Sequence, residues 1–195
     1  MDPCIWGPPI WKLLHASAAA GAPAELIDRT LATMVHVLPC AKCRGSLAKF
    51  LPRLAKLGFA DSVTKLWFLH NLVNRKLGKP AMPFRRAERL WETRSVPAAP
   101  LELADALAIV DGNYRHCTRT GRCRHYGAWW ARVADLCALH EGLRPTAAQM
   151  RRNAGITQRA PLARTLALRR ALMGPRSESA RRLRAKVDRC STKLY

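Results

Sequence analysis

The sequence is poor in acidic residues, with 13 Asp and Glu against 34 Lys and Arg in 195 residues, a formal net charge of +21. It also lacks long apolar runs. The longest weakly polar stretch, residues 13–23, contains a histidine and is shorter than the ~18–20 residues that a membrane helix needs. No basic segment followed by an apolar one opens the chain, so no secretory signal is predicted. We therefore expect a soluble protein of the cytoplasm or nucleus, with no membrane contact.

Proline and glycine, at 13 and 11 residues, are too scarce for a fibrous or low-complexity protein. Hydrophobic residues make up 49% of the chain, which is enough for a real core and excludes wholesale disorder. The length suits one or two domains. No stretch of four or more residues shows clean period-two alternation, so no β-sheet is predicted.

Apolar residues instead recur at helical spacing, which predicts an all-α protein. Pro8 and Pro9 suit a first helical turn, and Pro52 predicts a bend or break in the third helix. Asp61 or Ser62 caps the fourth helix, which Gly78 and Pro80 end. A linker near residues 95–100 separates a first region, 1–97, from a second helical, Arg-rich region, 98–195. The predicted helices after that linker are 101–110, 126–140, 146–153, 161–173 and 177–190.

The positive charge is unevenly distributed. Residues 1–100 carry a net charge of +9, residues 101–141 a net charge of zero, and residues 142–195 a net charge of +12. Arginine clusters suit phosphates or other polyanions, so residues 144–195 could contact a polyanion or a virion component. The alternative is a helical bundle with solvated arginine faces. Few aromatic residues accompany these arginines, which weakens the case for single-strand nucleic-acid recognition.

Seven cysteines are an odd number for a chain with no visible secretion signal. In a cytosolic protein they indicate metal binding or redox chemistry rather than structural disulfides. They are Cys4, Cys40, Cys43, Cys117, Cys123, Cys137 and Cys190.

The strongest local signal is Cys40-Ala-Lys-Cys43, which directly follows Pro39. Two thiols at this spacing can close a small disulfide, and the first would lie at a helix N-terminus. The helix dipole, together with Lys42 and Arg44, would lower the pKa of that thiol and populate the thiolate that attacks disulfides. Half of a zinc site is the alternative, but only Cys4 remains in the first 100 residues to complete one.

Two predicted helices carry polar and aromatic residues on otherwise apolar faces. Trp11 and His15 are four residues apart on the first helix, and His70 and Asn74 are four apart on the fourth. A single buried His or Trp is more often packing than a ligand. Together with Asn71 and Lys79, however, the set predicts a pocket for a flat heteroaromatic cofactor with a phosphate tail.

These motifs resemble the FAD-linked sulfhydryl oxidases of the Erv/ALR family. The resemblance covers roughly residues 5–94, and the opening of the chain is similar to the compact viral members. The matching strings are Gly7-x-x-x-Trp11-x-x-x-His15, Pro39-Cys40-x-x-Cys43, His70-Asn71-x-Val73-Asn74-x-x-Leu77-Gly78-Lys79-Pro80 and Trp91.

The resemblance implies a four-helix bundle with a short fifth helix that binds FAD, and a homodimer. It implies that Cys40 meets the substrate dithiol and that Cys43 lies against the flavin. Electrons would pass from substrate proteins through this pair to FAD and then to oxygen, which yields hydrogen peroxide. The residues implied to line the FAD pocket are Gly7, Trp11, His15, His70, Asn71, Asn74, Lys79 and Trp91, with Lys79 near the phosphates and Trp91 near the adenine.

Two departures from the family pattern concern cysteines. Many cellular members have a disulfide staple whose first cysteine would fall near Phe84, so this staple is absent or replaced. Cys117 and Cys123 could form a shuttle disulfide that passes electrons to Cys40. They could also join Cys137 and His140 in a zinc site, or be unconnected thiols.

The sequence thus predicts a thiol oxidase that forms disulfides in other proteins. The alternative function is a basic polyanion-binding or virion structural protein on a degenerate oxidase fold. A third interpretation is a zinc-binding regulatory module. The predicted location is the cytoplasm, which for a viral protein means the host cytoplasm and the virion.

Overall fold

The computed structural model describes residues 3–93, 100–113 and 124–153, together with residues 165, 167, 168, 171 and 172. Every regular element in these ranges is helical, which confirms the all-α prediction. The helices are α1 (Pro3–Ala19), α2 (Ala24–Val37), α3 (Ala41–Leu57), α4 (Ser62–Lys76), α5 (Phe84–Thr93), α6 (Pro100–Gly112), α7 (Arg124–Ala138) and α8 (Arg144–Asn153), with a 3-10 turn at Glu141–Leu143. The predicted helix at 177–190 lies outside the described residues.

The ends of α4 follow directly from the sequence. Asp61 is its N-cap, and the Asp61 carboxylate accepts a hydrogen bond from the Thr64 N–H at 2.7 Å. Gly78 adopts a φ of +68° after the helix. Two backbone hydrogen bonds close this end of the helix. They run from the Lys79 N–H to the Asn74 carbonyl at 2.9 Å and from the Gly78 N–H to the Arg75 carbonyl at 3.2 Å. The predicted cap and stop signals are confirmed.

One prediction about proline is wrong, and a second is wrong in part. Helix α1 begins at Pro3, so Pro8 and Pro9 lie inside it rather than in its first turn. Trp6 is buried in the core, and packing of this side chain extends the helix upstream of the prolines. Helix α3 likewise continues through Pro52 without a break. Pro52 lies on the solvent side of α3, where water can replace the missing backbone hydrogen bond.

Helices α1 to α4 pack as a four-helix bundle, in which α2 contacts α3, α3 contacts α4, and α1 contacts both α2 and α4. Helix α5 lies against α1 and α4. The bundle core is apolar and almost fully enclosed, and its most deeply buried side chains include Leu14, Ile27, Leu31, Leu66 and Leu69. The predicted bundle with a short fifth helix is confirmed by this packing.

Helix α6 is largely buried. Nearly every side chain from Leu103 to Asp111 is buried, and most of these side chains are apolar. It packs against α1, while α7 packs against both α2 and α8. One continuous core therefore includes residues from both predicted regions.

Polar contacts also join α7, and the turn after it, to the bundle. The Tyr126 hydroxyl donates to the Val37 carbonyl at 3.2 Å, and Arg132 donates to the Thr33 hydroxyl. Ser17 Oγ and His140 Nε2 are 3.1 Å apart in a buried hydrogen bond. The division of the chain at residue 97 stays a prediction, but α6 packs on α1 and α7 packs on α2. Among the described helices, none is both long and apolar enough to span a membrane.

Candidate active site

The Cys40-x-x-Cys43 motif forms a disulfide at the start of α3. The two Sγ atoms are bonded, and the two Cα atoms are 5.1 Å apart. Cys40 is the N-cap residue of α3, and Cys40 Sγ accepts a hydrogen bond from the Cys43 N–H at 3.1 Å. Both cysteines are half-buried. The predicted helix N-terminal position is confirmed, and a thiolate there is stabilised by the helix dipole and by a backbone N–H.

The turn before the disulfide is held from both sides. The Leu38 N–H donates to the Met34 carbonyl at 3.2 Å, which closes α2. Arg44, in the first turn of α3, donates from Nη1 to the Leu38 carbonyl. Arg44 therefore positions the chain segment that carries Cys40. The sequence indicated only its positive charge, because the contact to Leu38 depends on how α2 and α3 meet.

Three rings from two helices form a stack. The Trp11 and His70 ring centroids are 4.2 Å apart, with an angle of 5° between the ring planes. The His15 ring lies 5.5 Å from Trp11 and 5.3 Å from His70, in both cases nearly parallel. His15 Nε2 is 3.0 Å from His70 Nδ1, within hydrogen-bond distance. The structure thus brings together three residues that the sequence assigned to one pocket.

Both imidazoles of the stack are held neutral. Burial, with a smaller contribution from the neighbouring His70 ring, lowers the pKa of His15 to about 3. Burial also lowers the pKa of His70 to about 4, with a smaller contribution from the positive charge of Lys79. At neutral pH each ring therefore has one N–H donor and one acceptor nitrogen, and the pair shares one hydrogen bond.

Asn71 holds the loop that follows α4. Asn71 Oδ1 accepts a hydrogen bond from the Met82 N–H at 2.9 Å, and Asn71 Nδ2 donates to the Met82 carbonyl at 3.0 Å. Trp67 Nε1 donates to the same carbonyl at 2.7 Å. The side chain predicted to line a cofactor pocket thus holds the backbone at Met82. The sequence analysis did not predict these hydrogen bonds to Met82, because neither residue type nor spacing indicates them.

The fixed loop places Lys79 close to the ring stack. Lys79 follows the left-handed Gly78, and the Lys79 side chain is exposed. After burial, the positive charge of Lys79 is the second cause of the lowered pKa of His70. The Asn74 backbone carbonyl accepts a hydrogen bond from the Lys79 N–H, and the Asn74 side chain is half-buried on α4. Asn74, Lys79 and His70 therefore belong to one end of α4.

Gly7 lies on the same stripe of α1 as Trp11 and His15, one turn upstream. It is buried, yet a Cβ added at Gly7 would meet no atom within 4 Å. The backbone at Gly7 therefore faces open space. Trp91 belongs to α5, which packs against α1 and α4, but the Trp91 side chain lies outside the described structure.

The cysteines of the second region divide into two groups. Cys117 and Cys123, the predicted shuttle pair, lie outside the described residues. Cys137 is a buried free thiol on α7, and burial raises the pKa of this thiol to about 12. His140 Nε2 is bonded to Ser17 in the core. Within the described ranges, no three His, Cys, Asp or Glu residues cluster as metal ligands.

A comparison with protein families agrees with this geometry. Residues 8–92 match the model of the Erv1 / Alr family. Residues 8–92 are therefore similar to the Erv1 / Alr family. The matched segment runs from within α1 into α5 and contains both the disulfide and the ring stack. The resemblance predicted from the sequence is confirmed.

Two curated relatives each match about half of the chain. The putative FAD-linked sulfhydryl oxidase 347L of Invertebrate iridescent virus 6 is 29% identical over 106 residues, which cover 47% of this chain and 96% of the relative. The FAD-linked sulfhydryl oxidase ERV1 of Oryza sativa subsp. japonica is 27% identical over 108 residues, which cover 51% of this chain and 56% of that relative. No solved structure matches the chain. The family model ends within α5 and does not extend to α6, α7 or α8.

Proposed function

We propose that this protein is an FAD-linked thiol oxidase that forms disulfide bonds in other proteins. The observation that carries the proposal is the Cys40–Cys43 disulfide at the N-terminus of α3. Helix α3 packs directly against α4, and α4 carries His70 of the ring stack. The names of both relatives, FAD-linked sulfhydryl oxidases, describe the same combination of a thiol reaction with a flavin.

The described residues fit FAD, which combines two flat ring systems with a pyrophosphate. The rings of Trp11 and His70 are stacked nearly parallel to each other and offer a stacking surface. The neutral imidazoles of His15 and His70 offer both a donor and an acceptor beside that surface. Lys79 supplies a cation for phosphate, and the open space at Gly7 lets a ligand approach the α1 backbone closely.

Each residue of the proposed pocket can be assigned to one part of FAD. Trp11, His15 and His70 would hold the rings, and Asn74 and Lys79 would contact the phosphates. For Trp91, contact with the adenine is what the family resemblance implies. Asn71 acts through Met82, because both ends of the Asn71 amide are bonded to that backbone. A neutral His15–His70 pair also avoids placing a buried positive charge beside the flavin.

The proposed reaction begins with thiol–disulfide exchange at Cys40. A substrate thiolate attacks Cys40 Sγ, the Cys40–Cys43 bond breaks, and Cys43 leaves as a thiolate. A second substrate thiolate then attacks the mixed disulfide, and Cys40 leaves as a thiolate that the Cys43 N–H stabilises. The substrate has lost two electrons, and Cys40 and Cys43 have gained them. Bound FAD supplies a two-electron acceptor that oxygen reoxidises, with hydrogen peroxide as the product.

The visible absorption spectrum of the purified protein tests the flavin part of the proposal. We expect a yellow protein with one FAD per chain. We also expect oxygen consumption when dithiothreitol is added, with hydrogen peroxide formed in equal amount. A folded protein that stays colourless after incubation with FAD would contradict the proposal.

The remaining expectations about partners stay predictions. These are a homodimer, a polyanion contact through residues 144–195, and a location in the host cytoplasm or virion. Within the described structure, α6 and α7 cover parts of α1 and α2, so a second copy has to dock on another surface.

A further inference from the structure

The helix that begins with the disulfide carries a row of unneutralised positive charge. Four of its exposed side chains are basic, and this set is called the α3 basic row: Lys42, Lys49, Arg53 and Lys56. No Asp or Glu occurs between residues 30 and 60. In the part of the chain that the structure describes, the recorded ion pairs involve none of these four residues.

The four side chains lie along one edge of α3. At ~100° per residue, positions 42, 49, 53 and 56 fall within a sector of about 60°. With a rise of ~1.5 Å per residue, the row is about 21 Å long. Arg44, the other basic residue of α3, is half-buried and bonded to the Leu38 carbonyl, so it is not part of the row. An extended peptide of about six residues would span this length.

The surface beside the α3 basic row consists of residues with short side chains. The exposed positions along the centre of the same face are Ala41, Gly45, Ala48 and Pro52. None of them has a side chain long enough to separate an approaching chain from the row. A polypeptide that lies over these small residues can bring its carboxylates next to the ammonium and guanidinium groups.

The disulfide lies at one end of this surface. Cys40 caps α3, and Lys42 follows it by two residues in the first turn. A protein thiol that reaches Cys40 must approach this end of the helix, and the chain that flanks the thiol then passes over or beside α3. Chain flanked by acidic residues is attracted to the row, while chain flanked by basic residues is repelled.

We infer that the α3 basic row binds acidic chain segments beside the substrate dithiol, so that acidic proteins are the preferred substrates. This inference rests on the proposed thiol oxidase function. The row acts in docking and not in the exchange itself, because its members other than Lys42 lie two or more turns from Cys40 along the helix. Small neutral dithiols therefore gain nothing from it.

The test compares three dithiol peptides that differ only in the residues flanking the two cysteines: Glu, Gln or Lys. The full-length holoenzyme should oxidise the Glu peptide with a kcat/KM about tenfold higher than the Lys peptide at low salt, with the Gln peptide between them. The difference should shrink as salt screens the charges. Equal kcat/KM for the three peptides at low salt would overturn the inference.

Two variants locate the effect. Lys49→Gln/Arg53→Gln should lower kcat/KM for the Glu peptide about fivefold, because each exposed charge pair contributes modestly. The matched control, Arg144→Gln/Arg152→Gln, removes the same charge from exposed positions on α8. It should leave the peptide preference unchanged. An equal loss in both variants would assign the preference to net charge rather than to the row, and would overturn the inference.

Separate measurements distinguish failure of docking from failure of the proposed function. Oxidation of dithiothreitol tests the function and should be the same in the parent and both variants. Fluorescence anisotropy of a labelled Glu peptide with serines in place of its cysteines tests docking without turnover, and binding should weaken in Lys49→Gln/Arg53→Gln. If a single-stranded oligonucleotide loses affinity in that variant while the peptide does not, the row binds nucleic acid and the inference is wrong.

Discussion

His15 Nε2 lies 3.0 Å from His70 Nδ1, and this contact connects α1 to α4 beside the ring of Trp11. The two residues are 55 positions apart in the sequence. His15 is 5% exposed, so the pair can share its hydrogen bond with little competition from water. The pair therefore fixes the relative position of two helices and gives the proposed flavin pocket its neutral polar wall.

Acidification should destabilise the protein through this pair. The folded-state pKa values, about 3 for His15 and about 4 for His70, lie below the usual value of 6.5. Between pH 6.5 and 4 the unfolded chain binds protons that the folded chain does not, so the free energy of unfolding falls as pH falls. The slope is about 1.4 kcal/mol per pH unit for each imidazole at most. Thermal unfolding between pH 7 and 4.5, with flavin fluorescence followed in parallel, measures it.

The matched control for this pH dependence is His70→Asn, which removes one titrating group. The melting temperature of this variant should decrease less between pH 7 and 4.5 than that of the parent. A decrease as steep as in the parent would show that other groups cause the acid sensitivity.

Cys43→Ser should abolish oxidation of dithiothreitol, because it removes one half of the only described disulfide. The flavin spectrum and the far-UV circular dichroism should persist. Cys137→Ala is the control, since this thiol is buried on α7 and its raised pKa keeps it protonated. It should retain turnover and lose about 1 kcal/mol of stability. Turnover by Cys43→Ser at the parent rate would exclude the assigned cysteine pair.

Asn71→Ala should lower the free energy of unfolding by about 1–3 kcal/mol, because the Met82 backbone loses both of its Asn71 partners. Urea denaturation measures this loss. Asn71→Asp keeps an acceptor for the Met82 N–H but loses the donor to the Met82 carbonyl, so its cost should differ from that of alanine. If Asn71→Ala weakens FAD binding while stability stays at the parent value, Asn71 contacts the cofactor directly rather than through Met82.

Tyr126→Phe should destabilise the whole protein by about 1 kcal/mol, since the Val37 carbonyl loses the Tyr126 hydroxyl. Because α6 and α7 share one core with the bundle, we expect a single unfolding transition in the parent and in the variant. Differential scanning calorimetry measures the number of transitions. Two transitions, with only the second shifted by Tyr126→Phe, would instead support separate folding units divided near residue 97.

Much of the candidate site could be predicted because its signals are local. Cys40 and Cys43 are three residues apart, and their position at a helix N-terminus follows from Pro39 and the helical pattern after it. Trp11 and His15 share one face of α1 by helical spacing alone. For Trp11 and His70, the sequence predicted only that they line the same pocket. Their stacking could not be predicted, because it depends on how α1 and α4 pack.

The sequence by itself determined the helical class, the ends of α4 and the redox-active spacing, because caps, left-handed glycines and the 3.6-residue period act over a few residues. Only the tertiary structure decided the burial of α6, the hydrogen bond from Arg44 to the Leu38 carbonyl and the hydrogen bonds between Asn71 and Met82. The depressed pKa values of His15 and His70 belong to this second group. Each of these depends on the removal of water and on which helix faces meet, and a list of residues does not contain that information.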